Sequence, residues 1–311
     1  LGTLRQLLSF GVPGSKLAMG KILGITGALS FFLVPALIIG AGILVFASGE
    51  KATPGRFLFL VISYALYLGI FIFISVAVSA LTRSARMSLV FLLSFWILNC
   101  LVAPRAIADL AAYVHPTPSA VEFRRAMEEE LGAPHDVSKM DEFKAAILKE
   151  YDVEKVEDLP VNLNAIMTQK SEEEGYVIFD KYFTQIFNVF RQQDHFAQFG
   201  SIFAPILGIQ PVSAAMAGTD FEHHRHFITS AESYRRVIQK IMNDDHAEHP
   251  EKEGERYMAD EELWAKVPEF RYEVPNTGWA FQQSSIAFSL LSFWFIATFF
   301  VALRTSSNIK P

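Results

Sequence analysis

The sequence predicts a mainly α, polytopic membrane protein with four visible spans and a large, mostly helical extracytoplasmic domain. Two observations carry this prediction: four long apolar runs without charge, and an uneven distribution of acids. Of 33 acidic residues, 32 lie between Ala106 and Thr277, together with all eight histidines. The flanking sequence holds ten of the 27 basic residues and a single acid, Glu50. The middle block therefore carries about −15 and the flanks about +9, which sum to the net −6 of the chain.

The apolar runs are bounded by charged residues and have the length of membrane spans. Three of them contain 28, 26 and 18 uncharged residues. Crossing a hydrocarbon layer of about 30 Å takes about 20 helical residues. Helices satisfy every backbone group within the segment, whereas the strands of a membrane barrel would alternate in polarity. A buried soluble helix is the alternative for any single run, but four such runs favour spans at about 22–48, 57–82, 87–104 and 278–304.

The positions of the basic residues predict the orientation. Cytoplasmic segments of membrane proteins are enriched in Lys and Arg close to the spans. Three segments carry basic residues and no acid: the one before the first span, the one between the second and third, and the end of the fourth span with the tail 305–311 (Arg5, Lys16 and Lys21; Arg83 and Arg86; Arg304 and Lys310). We expect these to be cytoplasmic and residues 106–277 to be periplasmic or extracellular. Lys51, Arg56 and Arg105 then lie outside, as exceptions to the rule.

The first 21 residues predict a short amphipathic helix followed by a turn. Leu4, Leu7 and Leu8 have the i, i+3, i+4 spacing of one helical face, and Arg5 and Gln6 lie beside them. Gly11-Val12-Pro13-Gly14 then breaks the helix before the first span. Periodicity alone favours an interfacial anchor at the cytoplasmic surface.

The middle block is long enough to bury a core of its own. Its apolar periodicity predicts helices at about 119–131, 138–151, 171–198 and 219–243. The apolar segment 203–217 is interrupted by Pro205, Gly208 and Pro211, which predicts packing near the membrane surface rather than a span. Cys100 is the only cysteine and lies in the third run, so no intramolecular disulfide can stabilise this block.

A cluster of polar residues at 220–226 is the most distinctive chemical feature of the sequence. One hypothesis is a Zn²⁺ or Cu²⁺ site, with His223, His224 and His226 as candidate ligands. The alternative, which we favour, is a polar helix end whose histidines bond to neighbouring segments. Neither an HExxH pair nor a GxSxG elbow is present in the sequence, and we expect neither a catalytic residue nor a directly bound cofactor.

Several stretches of the sequence resemble one transporter family. The opening LGTLRQLLSFGVPGSKLAMGKILG, followed at once by a span, is similar to permease subunits of ABC-2-type transporters. The later HPTPSA (115–120), QPVSAAMAGTDFEHHRHF (210–227) and AESYRR (231–236) resemble a branch with a large extracytoplasmic domain of unknown function before its last membrane helix. The resemblance implies two further membrane helices upstream of Leu1. It also implies a glutamate shortly before the Gly2-Thr3 pair. The sequence begins at Leu1 and does not include that glutamate.

The resemblance gives the first helix a role. It implies that residues 1–21 form a cytoplasmic coupling helix and turn, which docks on a separate ATPase. Leu4, Leu7 and Leu8 would form the docking ridge and Arg5 and Gln6 its rim, while Pro13 and Gly14 would form the corner. No Walker-type GxxxxGK[ST] loop occurs in the sequence, so ATP and Mg²⁺ are expected on the ATPase and the chain itself is expected not to be an enzyme.

Three functional hypotheses follow. The favoured one is the permease subunit of an exporter in the bacterial inner membrane, with an ABC ATPase, a second permease subunit and membrane lipid as partners. The alternative is a membrane-anchored scaffold or mechanotransmitting subunit whose outer domain binds a periplasmic partner. A membrane metalloenzyme centred on His223, His224 and His226 is a weaker third. The acidity of the middle block disfavours nucleic acid as a partner.

Overall fold

The computed structural model describes residues 10–48, 54–132, 137–249 and 257–307. Within these ranges every regular element is helical, so the predicted mainly α fold class is confirmed. We number the α-helices in chain order: α1 (Gly14–Ser48), α2 (Pro54–Leu81), α3 (Ala85–Ile97), α4 (Ala103–Val114), α5 (Ala120–Leu131), α6 (Val137–Glu150), α7 (Leu163–Gly200), α8 (Ile206–Ala217), α9 (Phe221–Glu248), α10 (Glu261–Lys266), α11 (Thr277–Gln283) and α12 (Ser285–Ser307). A π-helical segment, Leu98–Val102, joins α3 to α4, and a 3₁₀ turn, Val156–Asp158, precedes α7.

Four helical stretches are long and apolar enough to cross a membrane, and the chain is a polytopic membrane protein. They are Gly14–Phe46, Pro54–Leu81, Ala85–Val114 and Ser285–Ser307. The shortest has 23 residues. At 1.5 Å per residue it measures about 35 Å, more than the roughly 30 Å of a hydrocarbon core.

The third of these stretches extends beyond the apolar run that predicted it. It begins at the N-cap Ser84, whose hydroxyl accepts a hydrogen bond from Met87 N at 3.3 Å. It then continues through the π-helical segment to Val114, past the predicted boundary at residue 104. Arg105 ends the apolar run but not the helix, because arginine is a good helix former. Its Nε donates to Asp109 Oδ2 one turn later, at 2.9 Å, with both side chains exposed.

The described residues form two compact units. The first, here called the membrane-helix unit, comprises the described residues within Leu1–His115, Arg191–His223 and Pro275–Pro311. The second, here called the insert unit, comprises those within Pro116–Phe190 and His224–Val274. The predicted block 106–277 is therefore divided, because residues 191–223 fold with the membrane helices.

In the membrane-helix unit, α1, α2 and α12 pack through small and apolar side chains. One core cluster joins all three helices (Ala18, Ile22, Ile72, Phe73, Val76, Ala77 and Ala302). Gly69 in α2 permits a close approach, since a Cβ there would lie 2.4 Å from Phe295 Cε2 of α12. Small residues at such crossings let helices pack closely where no hydrophobic effect drives them together.

The short helix α8 also packs against the membrane helices. Ile209 lies in a buried cluster with Ile70 of α2 and Leu291 of α12. Val212 is buried in a second cluster, with Ala280 of α11. The segment is too short to span, as its prolines predicted, and its apolar surface is covered within the same unit.

The insert unit is a set of amphipathic helices with a core of its own. Helix α5 begins at Ser119 with a capping box, in which Ser119 Oγ accepts from Glu122 N and Ser119 N donates to Glu122 Oε2. Ile147, Leu159 and Leu163 form a buried cluster between α6, the 3₁₀ turn and the start of α7. Full burial of side chains of this size contributes about 1.5–3 kcal/mol each.

Candidate functional sites

The predicted corner at Pro13 and Gly14 lies against the end of the last membrane helix. The Pro13 carbonyl accepts hydrogen bonds from Lys16 N at 3.0 Å and Leu17 N at 3.3 Å, which begins α1. A Cβ on Gly14 would lie 2.0 Å from the Ser306 carbonyl oxygen of α12. Only a residue without a side chain allows this approach. The predicted docking residues Leu4, Arg5, Gln6, Leu7 and Leu8 lie outside the described residues.

A chain of polar side chains is buried at the start of α2. Arg56 is 6% exposed and His223 is 4% exposed. Arg56 Nη2 lies 3.0 Å from His223 Nε2 and donates to the Pro275 carbonyl oxygen at 2.6 Å. His223 Nδ1 bonds in turn to Asp220 Oδ1. The chain Arg56–His223–Asp220 therefore ties α2 to the start of α9 and to the segment that enters α11.

Hydrogen-bonding chemistry fixes the tautomer of His223. A guanidinium has donors and no acceptor, so Nε2 must accept the hydrogen bond from Arg56. The neutral ring then carries its proton on Nδ1 and donates it to the Asp220 carboxylate. Both ring nitrogens are occupied in this arrangement, which leaves neither for a metal ion.

Packing around the ring holds His223 in place. Trp279 lies edge-on to the imidazole with ring centroids 4.9 Å apart. Gly218 ends α8 with φ +73°, and a Cβ there would lie 3.2 Å from Arg56 Nη1. The neighbouring Glu222 accepts from Arg191 Nε at 2.9 Å. Residues of the motif QPVSAAMAGTDFEHHRHF thus form a buried set of polar contacts with Arg56, here called the polar joint (Arg56, Asp220 and His223).

The three candidate metal ligands differ in their unit, their exposure and their hydrogen-bond partners. His223 belongs to the membrane-helix unit, whereas His224 and His226 belong to the insert unit. His224 is exposed, and His226 Nδ1 lies 3.1 Å from the Tyr272 hydroxyl. Across the described ranges no three His, Cys, Asp or Glu side chains converge as a metal site.

The insert unit contains a cavity of about 760 Å³ between its segments of α7 and α9. Its apolar floor is formed by Phe179, Phe183 and Phe187, whose four-residue spacing places them on one face of α7. The ring centroids of Phe179 and Phe183 lie 6.4 Å apart, and those of Phe183 and Phe187 lie 5.8 Å apart. Phe183 remains 41% exposed. Such an aromatic floor accommodates an apolar ligand or side chain.

Ion pairs from the motif AESYRR line the rim of this cavity. Glu232 accepts from Arg235 Nε at 2.7 Å and from Arg236 Nε at 2.8 Å. Arg236 also donates to both carboxylate oxygens of Asp180, at 2.6 and 2.9 Å. The hydrogen bond from Arg235, followed by that from Arg236, lowers the pKa of Glu232 to about 2, against the opposing effect of its partial burial. The rim is a charged network of paired side chains.

Sequence reasoning did not anticipate the role of Arg56. It treated this residue only as an exception to the positive-inside rule. In the structure Arg56 bonds to His223, which lies 167 positions away in the sequence.

Comparison with known proteins identifies one similarity. The model of a protein family, described as a domain of unknown function (DUF3526), matches residues 120–273. The matched region covers most of the insert unit and the whole intervening segment 191–223. No curated protein and no solved structure has significant similarity to the chain.

Proposed function

We propose that the chain is the permease subunit of an ABC-2-type exporter in the bacterial inner membrane. A separate ATPase hydrolyses ATP, and a second permease subunit completes the transporter. The insert unit and residues 191–223 then lie on the periplasmic side. Four spans together with the family-like opening motif support this proposal, because a simple anchor requires only one span.

The contact between Gly14 and Ser306 is the observation that favours coupling. A helix that docks on an ATPase can move membrane helices only if its link to them is stiff. The corner at Gly14 touches the end of α12, and Ala18 and Ile22, one and two turns later, are buried against α2 and α12. A force applied at residues 3–10 would therefore reach three membrane helices at once.

Charge placed on the predicted docking ridge tests the proposal. In the double variant Leu7→Asp, Leu8→Asp, two carboxylates would enter an apolar groove on the ATPase at a cost of several kcal/mol. The variant should insert normally, yet lose co-purification with the ATPase or substrate-stimulated hydrolysis. The control is a matched pair of single substitutions: Leu8→Asp lies on the ridge and should lose both, whereas Ser9→Asp lies on the opposite side of the helix and should retain both. If the Leu7→Asp, Leu8→Asp variant binds the ATPase and stimulates hydrolysis normally, this helix is an interfacial anchor and not a coupling helix.

A second candidate function, the binding of a periplasmic partner by the insert unit, is favoured by the aromatic cavity. Three arginines and two carboxylates line it above the phenylalanine floor. The exposed phenylalanine floor suits a partner segment with an apolar side chain. A cell that carries an inactive ATPase distinguishes the two functions. Transport should stop in that cell, whereas binding of the periplasmic partner should persist. Phe183→Asp should abolish this binding.

A further inference from the structure

Part of the chain folds back on itself within the membrane-helix unit. The last turns of α7 pack against α4, where a Cβ on Gly200 would lie 2.9 Å from Ile107 Cγ2. Helix α8 then returns to Gly218, where a Cβ would lie 3.2 Å from Arg56 Nη1 in the first turn of α2. Residues 191–218 are here called the hairpin.

The turn of the hairpin, residues 201–206, lies against three of the membrane-spanning stretches. One residue of each stretch makes the contact (Ile70 of α2, Asn99 of the π-helical segment and Trp294 of α12). The Ser201 carbonyl oxygen accepts a hydrogen bond from Trp294 Nε1 at 2.9 Å, and Ile206 N donates to Asn99 Oδ1 at 3.4 Å. Ile209, in the first turn of α8, is buried against Ile70.

The three contacting residues lie near the middle of their spans. Each is ten to thirteen positions from an arginine at one end of its own span (Arg83 for Ile70, Arg86 for Asn99 and Arg304 for Trp294). At 1.5 Å per residue this separation is about 15–20 Å, and half of a hydrocarbon layer measures about 15 Å. Three spans therefore give the turn the same depth, near the middle of the bilayer.

The backbone of the turn finds hydrogen-bond partners within the protein. The N–H groups of Ser201, Ile202 and Phe203 donate to carbonyl oxygens three residues earlier, at 3.0 to 3.1 Å. The Asn99 amide, which accepts from Ile206 N, is buried in the middle of its span. Irregular backbone is tolerated at membrane depth only where it is buried in protein or lines a water-filled cavity. Asn99 and Trp294 supply such partners from two neighbouring spans.

Large apolar side chains at the turn remain uncovered within the described part of the chain. Phe199, Ile202 and Phe203 are 60%, 50% and 75% exposed. On a surface in water, neighbouring apolar side chains of this size are a liability, whereas acyl chains surround them at the middle of a bilayer. Leu98 and Leu101, which flank Asn99 in the third span, are also exposed, as lipid-facing residues at this depth should be.

We propose that the hairpin is re-entrant: it reaches the middle of the bilayer, where Phe199, Ile202 and Phe203 contact the acyl chains of membrane lipids. The segment 203–217 then lies deeper than the membrane surface, where its sequence predicted it to pack. This lipid-binding surface requires only that the four apolar stretches span the membrane. It goes beyond the proposed transport function and does not depend on an ATPase.

Spin-label accessibility tests the proposal on the intact protein in lipid nanodiscs. In a Cys100→Ser background, a nitroxide on Ile202→Cys is exposed to oxygen, which concentrates in hydrocarbon, and to a nickel chelate, which stays in water. The reference for the bilayer core is Phe293→Cys, at an exposed position next to Trp294 in α12. The reference for water is Val121→Cys, at an exposed position in the insert unit. We expect the ratio of oxygen to nickel accessibility at residue 202 to match residue 293 and to exceed residue 121.

Each alternative environment of the turn gives a different result. Access of the nickel chelate to residue 202, as at residue 121, would put the turn in water and overturn the proposal. Low accessibility to both reagents would show that protein covers the turn, such as a second copy of this chain, and would also overturn it. Phe203→Cys repeats the measurement at the next residue, and the proposal requires access of oxygen without the nickel chelate at both positions.

Discussion

Arg56 Nη2 lies 3.0 Å from Nε2 of His223, and both side chains are buried. This bond joins the first turn of α2 to the first turn of α9. A second bond from the same nitrogen of Arg56 to the Pro275 carbonyl, at 2.6 Å, fixes the segment that leads into α11. One side chain thus holds together three segments of the membrane-helix unit that are far apart in the sequence.

Replacement of Arg56 should destabilise this unit. Arg56→Met keeps much of the side-chain length but leaves His223 Nε2 and the Pro275 carbonyl without their donor. Each buried acceptor that loses its partner costs about 1–3 kcal/mol. We expect a lower midpoint of thermal unfolding in nanodiscs. Arg105→Met is the matched control, because the Arg105 side chain is 81% exposed and its ion pair with Asp109 contributes little. Equal midpoints in the two variants would contradict the joint described here.

A methyl group at Gly14 should separate α1 from α12. In Gly14→Ala the new Cβ would lie 2.0 Å from the Ser306 carbonyl oxygen, so the backbone must move. We expect lower thermal stability and, under the proposed function, weaker stimulation of the ATPase. Gly24→Ala in the same helix meets no atom within 4 Å and should gain up to about 1 kcal/mol in helix propensity. Equal thermal stability and equal ATPase stimulation in Gly14→Ala and Gly24→Ala would show that the contact between Gly14 and Ser306 is unimportant.

The sequence predicted those parts of the fold that depend on local composition. Runs without charge located all four spans, and proline spacing showed that α8 is too short to cross. The third helix continues to Val114, beyond the predicted boundary at residue 104, because Arg105 ends the apolar run without ending the helix.

Long-range packing was beyond local sequence patterns. The division of block 106–277 depends on Ile209 and Val212 meeting residues of α2, α11 and α12, and periodicity does not report which surface covers an apolar face. The favoured interpretation predicted that the histidines bond to neighbouring segments, but it did not identify Arg56 as the partner of His223.

Acid should weaken the ion network of the insert unit. Hydrogen bonds from Arg235 and Arg236 lower the pKa of Glu232 to about 2. A carboxyl with a depressed folded-state pKa stabilises the fold above its unfolded-state value, about 4.3, and loses that contribution as the pH falls towards 2. We expect thermal stability, followed by circular dichroism, to fall across this window. Glu232→Gln should lower stability at neutral pH and flatten the acid dependence, whereas Glu129→Gln, at an exposed position, should retain the wild-type profile. If Glu232→Gln leaves the dependence of thermal stability on pH unchanged, this network does not determine the loss of stability in acid.

The proposed orientation predicts which cysteines react from outside the cell membrane. Cys100 is the only native cysteine, so a Cys100→Ser background permits single-site labelling. Glu154→Cys lies on the exposed surface of the insert unit, and Ala85→Cys lies at the exposed start of α3 without removing Arg83 or Arg86. Under the positive-inside rule, a membrane-impermeant maleimide should label residue 154 in intact spheroplasts and residue 85 only after lysis. The two sites are separated by one span, so they must lie on opposite sides whichever orientation holds. Labelling of residue 85 alone in intact spheroplasts would therefore invert the topology and place the insert unit in the cytoplasm, against the proposed exporter.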